Sequence, residues 1–382
     1  MKNTLKLLLL GLVVALSILA CGEATPQPTP IPTPTTNPKL PPRGYHLGFT
    51  PFPFDTSTEA VDFTYERIAL NADIIAHHFD DGIPWPEALS GDTYPNRILQ
   101  DWEAARSRTP EGHKIYIAIT PINLMSDGMA LYRGEEGEEP LPEPWSSYDF
   151  DHPDVKEAFL NHARFAVEFF QPDYLAIGIE VDLLLDKVPD QWDAFMELHK
   201  FVYTELKREY PDLPIFASVF GIAMLEGYVD GIDTMAHLQT LEELLPYSDY
   251  YAISLYPFLS KYMTDSVPED MFEKLFSLSD KPIAITETAY PAQTFTLEEA
   301  GVTFESDEQK QLAYFSGLLE EADRRDFVFI IDFFLRDYDA FWEKVGKFDL
   351  ATFWRDTGFY DEDGYPRPVL DLWMEALVRP YQ

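Results

Sequence analysis

Eight short apolar runs, each ending in a polar or aromatic cluster, set the main limit on what this chain can fold into. They cover residues 45–49, 73–79, 114–120, 174–180, 215–220, 250–256, 283–288 and 327–334. Their lengths and their β-branched or aromatic content suit parallel strands covered on both faces. Helical patterns lie between them. Asp151-His152-Pro153 opens a helix expected to run to about Phe170. Asp190 opens another, with Trp192, Phe195, Leu198, Val202 and Leu206 on one stripe and Pro211 past its end. Ser306 with Gln309 reads as a capping box ahead of Leu312, Phe315 and Leu319. Strand and helix alternating eight times predict an α/β protein with a single closed (β/α)8 TIM barrel. The rival fold, an open doubly wound sheet, normally carries a Gly-rich phosphate turn after its first strand. Gly48-Phe49-Thr50-Pro51 is not such a turn.

The first forty residues do not fit the pattern. Lys2 and Lys6 precede an apolar run, and Ser17-Ile18-Leu19-Ala20-Cys21 follows it. This reads as a secretory signal with Cys21 as the lipid-acceptor residue, and the run is short for a membrane span. An ordinary secreted protein cut near Ala20 is the alternative. Pro and Thr dominate the next stretch, which predicts an extended spacer without a core. The expected divisions are a signal peptide at 1–21, a linker at 22–42 and a barrel at 43–382. The expected location is extracytoplasmic, at the cell surface or in the periplasm, with membrane contact through the lipid alone. Cys21 is the one cysteine, so no intramolecular disulfide can form. A net charge of −38 repels nucleic acid, anionic lipid and polyanionic sugars such as pectin. The barrel is expected to be a monomer without a cofactor.

Two of the runs end in glutamate. In the fourth, Leu175, Ile177 and Ile179 share one parity and suit the helix-facing side, while Ala176, Gly178 and Glu180 share the other. Glu180 is thereby expected on the inner side of the barrel at its C-terminal mouth. The seventh run ends in Thr286-Glu287-Thr288. A buried Glu is costly unless it is paired, so two at the same end of a barrel ask for a chemical reason. Glycosidic hydrolysis uses two such carboxyls, about 5–5.5 Å apart for retention and about 6.5–9.5 Å apart for inversion.

These pieces resemble a known clan. Strand four ending in Glu180, strand six reading Ser254-Leu255-Tyr256-Pro257 and strand seven reading Glu287-Thr288-Ala289-Tyr290-Pro291 are similar to the retaining (β/α)8 glycosidases with glutamates on strands four and seven. Within the clan they look nearest to arabinogalactan endo-β-1,4-galactanases. The segment from Thr357 to Pro368 is similar to the tail of many members. The resemblance implies that Glu180 is the acid/base, Glu287 the nucleophile and Tyr256 a hydrogen-bond donor to it. It also marks two departures. Ile179 stands where the clan usually has an Asn that binds the sugar 2-hydroxyl. His77-His78-Phe79-Asp80-Asp81 stands where an Arg is usual near the nucleophile.

Other candidates are weighed beside these. One of His77 and His78, with His78 preferred, is a candidate substrate contact. A metal site there is disfavoured because neighbours on a strand point to opposite faces. Trp85, Trp145, Trp342 and Trp354 are candidate sugar platforms. Asp182 and Tyr290 are candidate substrate contacts from the same strand ends. Asp332 and Asp337 either bind sugar or pair with Arg336 or Lys344. The long segments 82–96 and 121–150 follow strand ends, where lids and binding loops of barrels sit. Two readings compete with the hydrolase: a non-catalytic glycan-binding lipoprotein on a glycosidase-like barrel, and a two-lobed solute-binding lipoprotein.

Overall fold

Each of the eight apolar runs contains a parallel strand, and together they close a barrel. The computed structural model describes residues 36–262, 267–298, 301–347 and 349–382. The expected signal peptide, Cys21 and most of the linker lie outside the described residues. The strands are β1 His46–Phe49, β2 Ile74–Phe79, β3 Lys114–Ile119, β4 Tyr174–Ala176, β5 in two pieces (Ile215–Phe216 and Ser218–Phe220), β6 Tyr251–Leu255, β7 Ile283–Thr288 and β8 Phe327–Asp332. Neighbours in sequence are neighbours in the sheet. β8 pairs with β1, and the first piece of β5 pairs with β4 while the second pairs with β6. Among the described strands of this barrel no edge is left over, which disposes of the open-sheet rival and of a two-lobed architecture.

Strand alternation sorts the side chains into two layers. Ala76, Tyr116, Tyr174, Phe216 and Phe329 fill the inside of the barrel. Tyr116 and Phe329 lie with ring centres 5.1 Å apart. Removing a ring such as Phe329 would cost about 3–5 kcal/mol, because the surrounding strands cannot collapse into the gap. Ile75, Ile117, Leu175, Ile253 and Ile285 face the helices.

The helices follow their sequence signals with one adjustment. Pro153–Phe170 starts after His152, whose ring accepts from the Asp154 amide. Trp192–Glu209 buries the whole Trp192, Phe195, Leu198, Val202 and Leu206 stripe. The helix Glu308–Ala322 is capped by Asp307 rather than by Ser306. The Asp307 carboxylate accepts from both the Gln309 and Lys310 amides at 2.9 Å. Ser306 instead donates its hydroxyl to the Pro291 carbonyl at 2.6 Å, tying the loop after β7 to the helix entrance. Among the described residues no helix is long and apolar enough to cross a membrane.

The two long segments pack on each other at the C-terminal rim. The Ile83 amide donates to the Leu131 carbonyl, and a hairpin forms from Tyr132–Gly134 and Gly137–Glu139. One wall of the rim cavity is thereby supplied by Thr120, Ile122, Asn123 and Ser126, just past β3.

Candidate active site

A cavity of about 120 Å3 opens at the C-terminal mouth, and Glu180, Glu287, His78, Asp80 and Tyr256 line it. The two expected glutamates therefore meet at one cleft. Each arrives there through a break in regular strand geometry.

On β7 the break is a bulge. Ile285 aligns with Ile253 of β6, but Glu287, two residues on, aligns with Ser254, only one residue on. Thr286 is the extra residue, and it turns Glu287 onto the inner face, where strict alternation from Ala284 would not put it. Glu287 is 7% exposed. Its Oε1 lies 2.9 Å from His78 Nε2, and its Oε2 accepts from the Tyr256 hydroxyl at 2.8 Å. The expected Tyr256–Glu287 hydrogen bond is present in this geometry.

On β4 the regular strand stops at Ala176, and the expected parity fails beyond it. Gly178 turns toward the helix layer: a Cβ there would lie 2.6 Å from Val181 Cγ1 and 3.2 Å from Ala217 Cβ. Ile179, expected to face the helices, instead joins Glu180 in the cavity wall. Glu180 itself has φ 44°, in the left-handed region that costs a non-glycine residue about 1–3 kcal/mol. The surroundings over-determine this conformation. The Glu180 amide donates to Ser218 Oγ at 3.0 Å, and its carbonyl accepts from Leu183 at 3.0 Å.

The two carboxyls have different environments. Burial raises the Glu180 pKa well above the ordinary range, the charges of Glu287 and Asp182 add to this, and His78 and the Ser254 hydroxyl oppose it. Glu180 is thus held as a neutral acid, whereas Glu287 is clasped by two donors. A carboxyl that favours its proton beside one held by two donors can divide acid and nucleophile roles. Burial alone would discharge His78, but the Glu287 and Asp80 carboxylates hold its pKa up to about 10. Burial and the Glu287 charge keep Tyr256 a phenol, and so a donor.

Four of the expected substrate contacts lie elsewhere. Asp182 is fully buried, with Oδ1 accepting from the Phe220 amide at 2.8 Å and Oδ2 facing His237 Nδ1 at 2.8 Å. It anchors the turn after Glu180 and is closed to a sugar by its full burial. Trp85 is 0% exposed; its indole N–H donates to the Ala130 carbonyl and its ring stacks on Trp145. It belongs to the packing between the two rim loops. Tyr290 stacks on Tyr314, behind β7. Asp332 aligns with Phe49 of β1, opposite in parity to the inward Ile331, so it faces the helix layer. Both its carboxylate oxygens lack a protein hydrogen-bond partner, and burial alone raises its pKa well above the usual range.

Of the other candidates, Trp354 lines the cavity, with its ring edge-on to Tyr256 at 5.8 Å and 89°. Trp342 bonds to Thr352 instead. His77 faces away from His78 as alternation requires, bonding to Thr109 Oγ1 at 2.8 Å, and burial lowers its pKa to about 4. Asp337 forms a two-pronged pair with Arg367, rather than with Arg336 or Lys344. Asp337, Asp339 and Asp356 are the acidic group near enough together to share an ion among the described residues, but Arg367 and Arg355 already pair with all three. Sequence reasoning weighed Asp80 only within a disfavoured metal site and gave no role to Ser254 or His237. Asp80 and Ser254 sit two positions from His78 and Tyr256, so strand parity was the signal for both. His237 had none, being brought to Asp182 by a helix 55 residues away.

No family model matches the sequence, and no curated protein is similar to it. Solved structures do share its fold. An exo-β-1,4-mannosidase from Opitutaceae bacterium strain TAV5 is similar at TM-score 0.58 and 13% identity, over 91% of this chain and 61% of that one. A β-glucuronidase from an uncultured Clostridium sp. matches at 0.50 and 12%, over 88% and 50%. A β-glycosidase matches at 0.51 and 12%, over 82% and 84%. The chain thus spans about three fifths of the mannosidase and half of the glucuronidase. At these identities the likeness is one of fold.

Proposed function

We propose that this chain is a retaining glycoside hydrolase for a β-linked polysaccharide or oligosaccharide. The observation that carries the reading is the pair at the barrel mouth: Glu180 partly buried and biased toward its protonated form, Glu287 held by His78 and Tyr256 across the same cavity. In the first step Glu180 gives its proton to the glycosidic oxygen while a Glu287 carboxylate oxygen bonds to the anomeric carbon and the leaving group departs. In the second, Glu180, now a carboxylate, takes a proton from water as that water displaces Glu287. Two inversions at one carbon give net retention. The fold shared with proteins named as a β-mannosidase, a β-glucuronidase and a β-glycosidase supports the β-linkage. The Ser254-Leu255-Tyr256-Pro257 and Glu287 to Pro291 motifs favour a galactan-like substrate, and the acidic surface favours a neutral one. Export and anchoring through Cys21 would place the barrel outside the cytoplasm, as a monomer on a stalk.

The test is Glu180→Gln and Glu287→Gln, each checked for folding and assayed on a panel of β-linked galactans, mannans, glucans and xylans. Each variant should lose turnover that the parent shows, on the order of 10²-fold or more for Glu180. Folded variants that hydrolyse as well as the parent would end the proposal. Ile179 in the cavity wall favours one second reading, a glycan-binding protein without turnover. That reading expects saturable glycan binding, with no hydrolysis of any panel member by the parent chain.

A further inference from the structure

Among the described residues lining the cavity none is Lys or Arg, yet Glu287 and Asp80 are both there and nearly buried. Two carboxylates withdrawn from water need a compensating cation. His78 is placed between them. Its Nε2 lies 2.9 Å from Glu287 Oε1 and its Nδ1 lies 3.7 Å from Asp80 Oδ2. Phe333, from the end of β8, meets the ring edge-on at 5.4 Å and 82°, which fixes its plane. A neutral imidazole has one N–H and one lone pair. With a carboxylate facing each nitrogen, the neutral ring would aim its lone pair at an anion, whichever tautomer formed.

We infer that Asp80 holds His78 as an imidazolium, and that this imidazolium is the fixed cation which orients Glu287 and balances its charge. Asp80 and His78 are positioning residues in this account, acting through Glu287. The catalytic consequence rests on the hydrolase reading; the protonation state does not. The groups facing His78 are Asp80 just past the end of its own strand, Glu287 on β7 and Glu180 past β4, with Tyr256 past β6 bonded to the far side of Glu287. Glu180 is held neutral, Tyr256 is a phenol, and Phe333 is uncharged, so the two carboxylates set the ring's state. In support, those two charges outweigh burial and raise the His78 pKa from 6.5 to about 10. A histidine cation, unlike a guanidinium, is lost when the solution is alkaline enough, and Asp80 sets how alkaline that must be.

The experiment has two readouts on the full chain. The first is a ¹⁵N NMR titration of the histidine rings, with His78 identified by its absence in His78→Gln. The His78 ring should remain doubly protonated through neutral pH, and in Asp80→Asn its midpoint should fall by at least about one pH unit, a tenfold change in proton affinity. A wild-type ring already neutral at pH 7, or a midpoint unmoved by Asp80→Asn, overturns the proposal. The wild-type titration alone suffices if Asp80→Asn does not fold. The second readout is kcat/KM against pH. Asp80→Asn should lose activity at alkaline pH and regain most of it under mildly acidic conditions, where His78 is protonated without help. A uniform loss at every pH marks a merely structural role and overturns it. Titrations as expected in a chain that hydrolyses no glycoside would leave the charge arrangement standing and remove the hydrolase reading.

Discussion

His237 Nδ1 lies 2.8 Å from Oδ2 of Asp182, two residues past Glu180, and both side chains are buried. The pair pins the turn that holds Glu180 in its left-handed conformation. Breaking a buried pair by removing one partner leaves an uncompensated charge, so His237→Ala should cost about 3–5 kcal/mol in denaturant unfolding. Burial opposes the charge on His237, but Asp182 and Asp186 raise its pKa from 6.5 to about 10. A raised histidine stabilises fully below its ordinary value and loses that contribution as pH climbs through the folded value. Wild-type Tm should therefore decline between about pH 6.5 and 10, and His237→Ala should remove this part of the decline.

Asp332 presents the opposite case. Its carboxyl is buried beside β7 and β8 without a protein partner, and burial alone raises its pKa. Such a group binds a proton more tightly folded than unfolded, so folding is favoured at low pH and penalised as pH rises. Asp332→Asn should raise Tm at pH 7 and above and change it little at pH 4. Equal shifts at both values would contradict the assignment.

The tryptophans separate packing from binding. Trp85 is enclosed between the rim loops, so Trp85→Ala should cost about 3–5 kcal/mol of stability. Trp354 lines the cavity, so Trp354→Ala should act mainly on KM with a smaller loss of Tm. Steady-state kinetics and thermal unfolding of both variants check the contrast.

Glu180 and Glu287 should titrate as linked groups. The Glu287 charge is one of the causes that raise the Glu180 pKa, so Glu287→Gln should lower it. A ¹³C carboxyl titration reads this directly. In the parent, the rate of the first step should fall as pH rises through the Glu180 value, because the proton donor is lost.

The barrel was legible because strand and helix periods differ and each run carried its own start and stop residues. The two glutamates were legible because they close apolar runs in the sequence. What failed was parity beyond the last regular residue. Ile179 and Gly178 exchanged faces once β4 ended at Ala176, and Glu287 reached the cavity through a bulge that leaves no mark in an apolar alternation. Asp182, Asp332 and Tyr290 were placed by nearness to a strand end; alternation from inward Ile331 already turns Asp332 toward the helices, whereas Asp182 and Tyr290 lie past their strands, where parity gives no face. Trp85 was misplaced because loop–loop packing between segments far apart in sequence has no periodic signature.

The most direct test of the hydrolase account is trapping with a 2-fluoro glycoside that carries a good leaving group, of the sugar the chain turns over. The fluorine slows release of the covalent intermediate. Digestion and mass mapping should find one sugar per chain, attached to Glu287, with activity lost in step with labelling. A sugar attached to any other residue, or full turnover of the reagent with release of inverted product and no adduct, would contradict the assignment of Glu287 as the nucleophile.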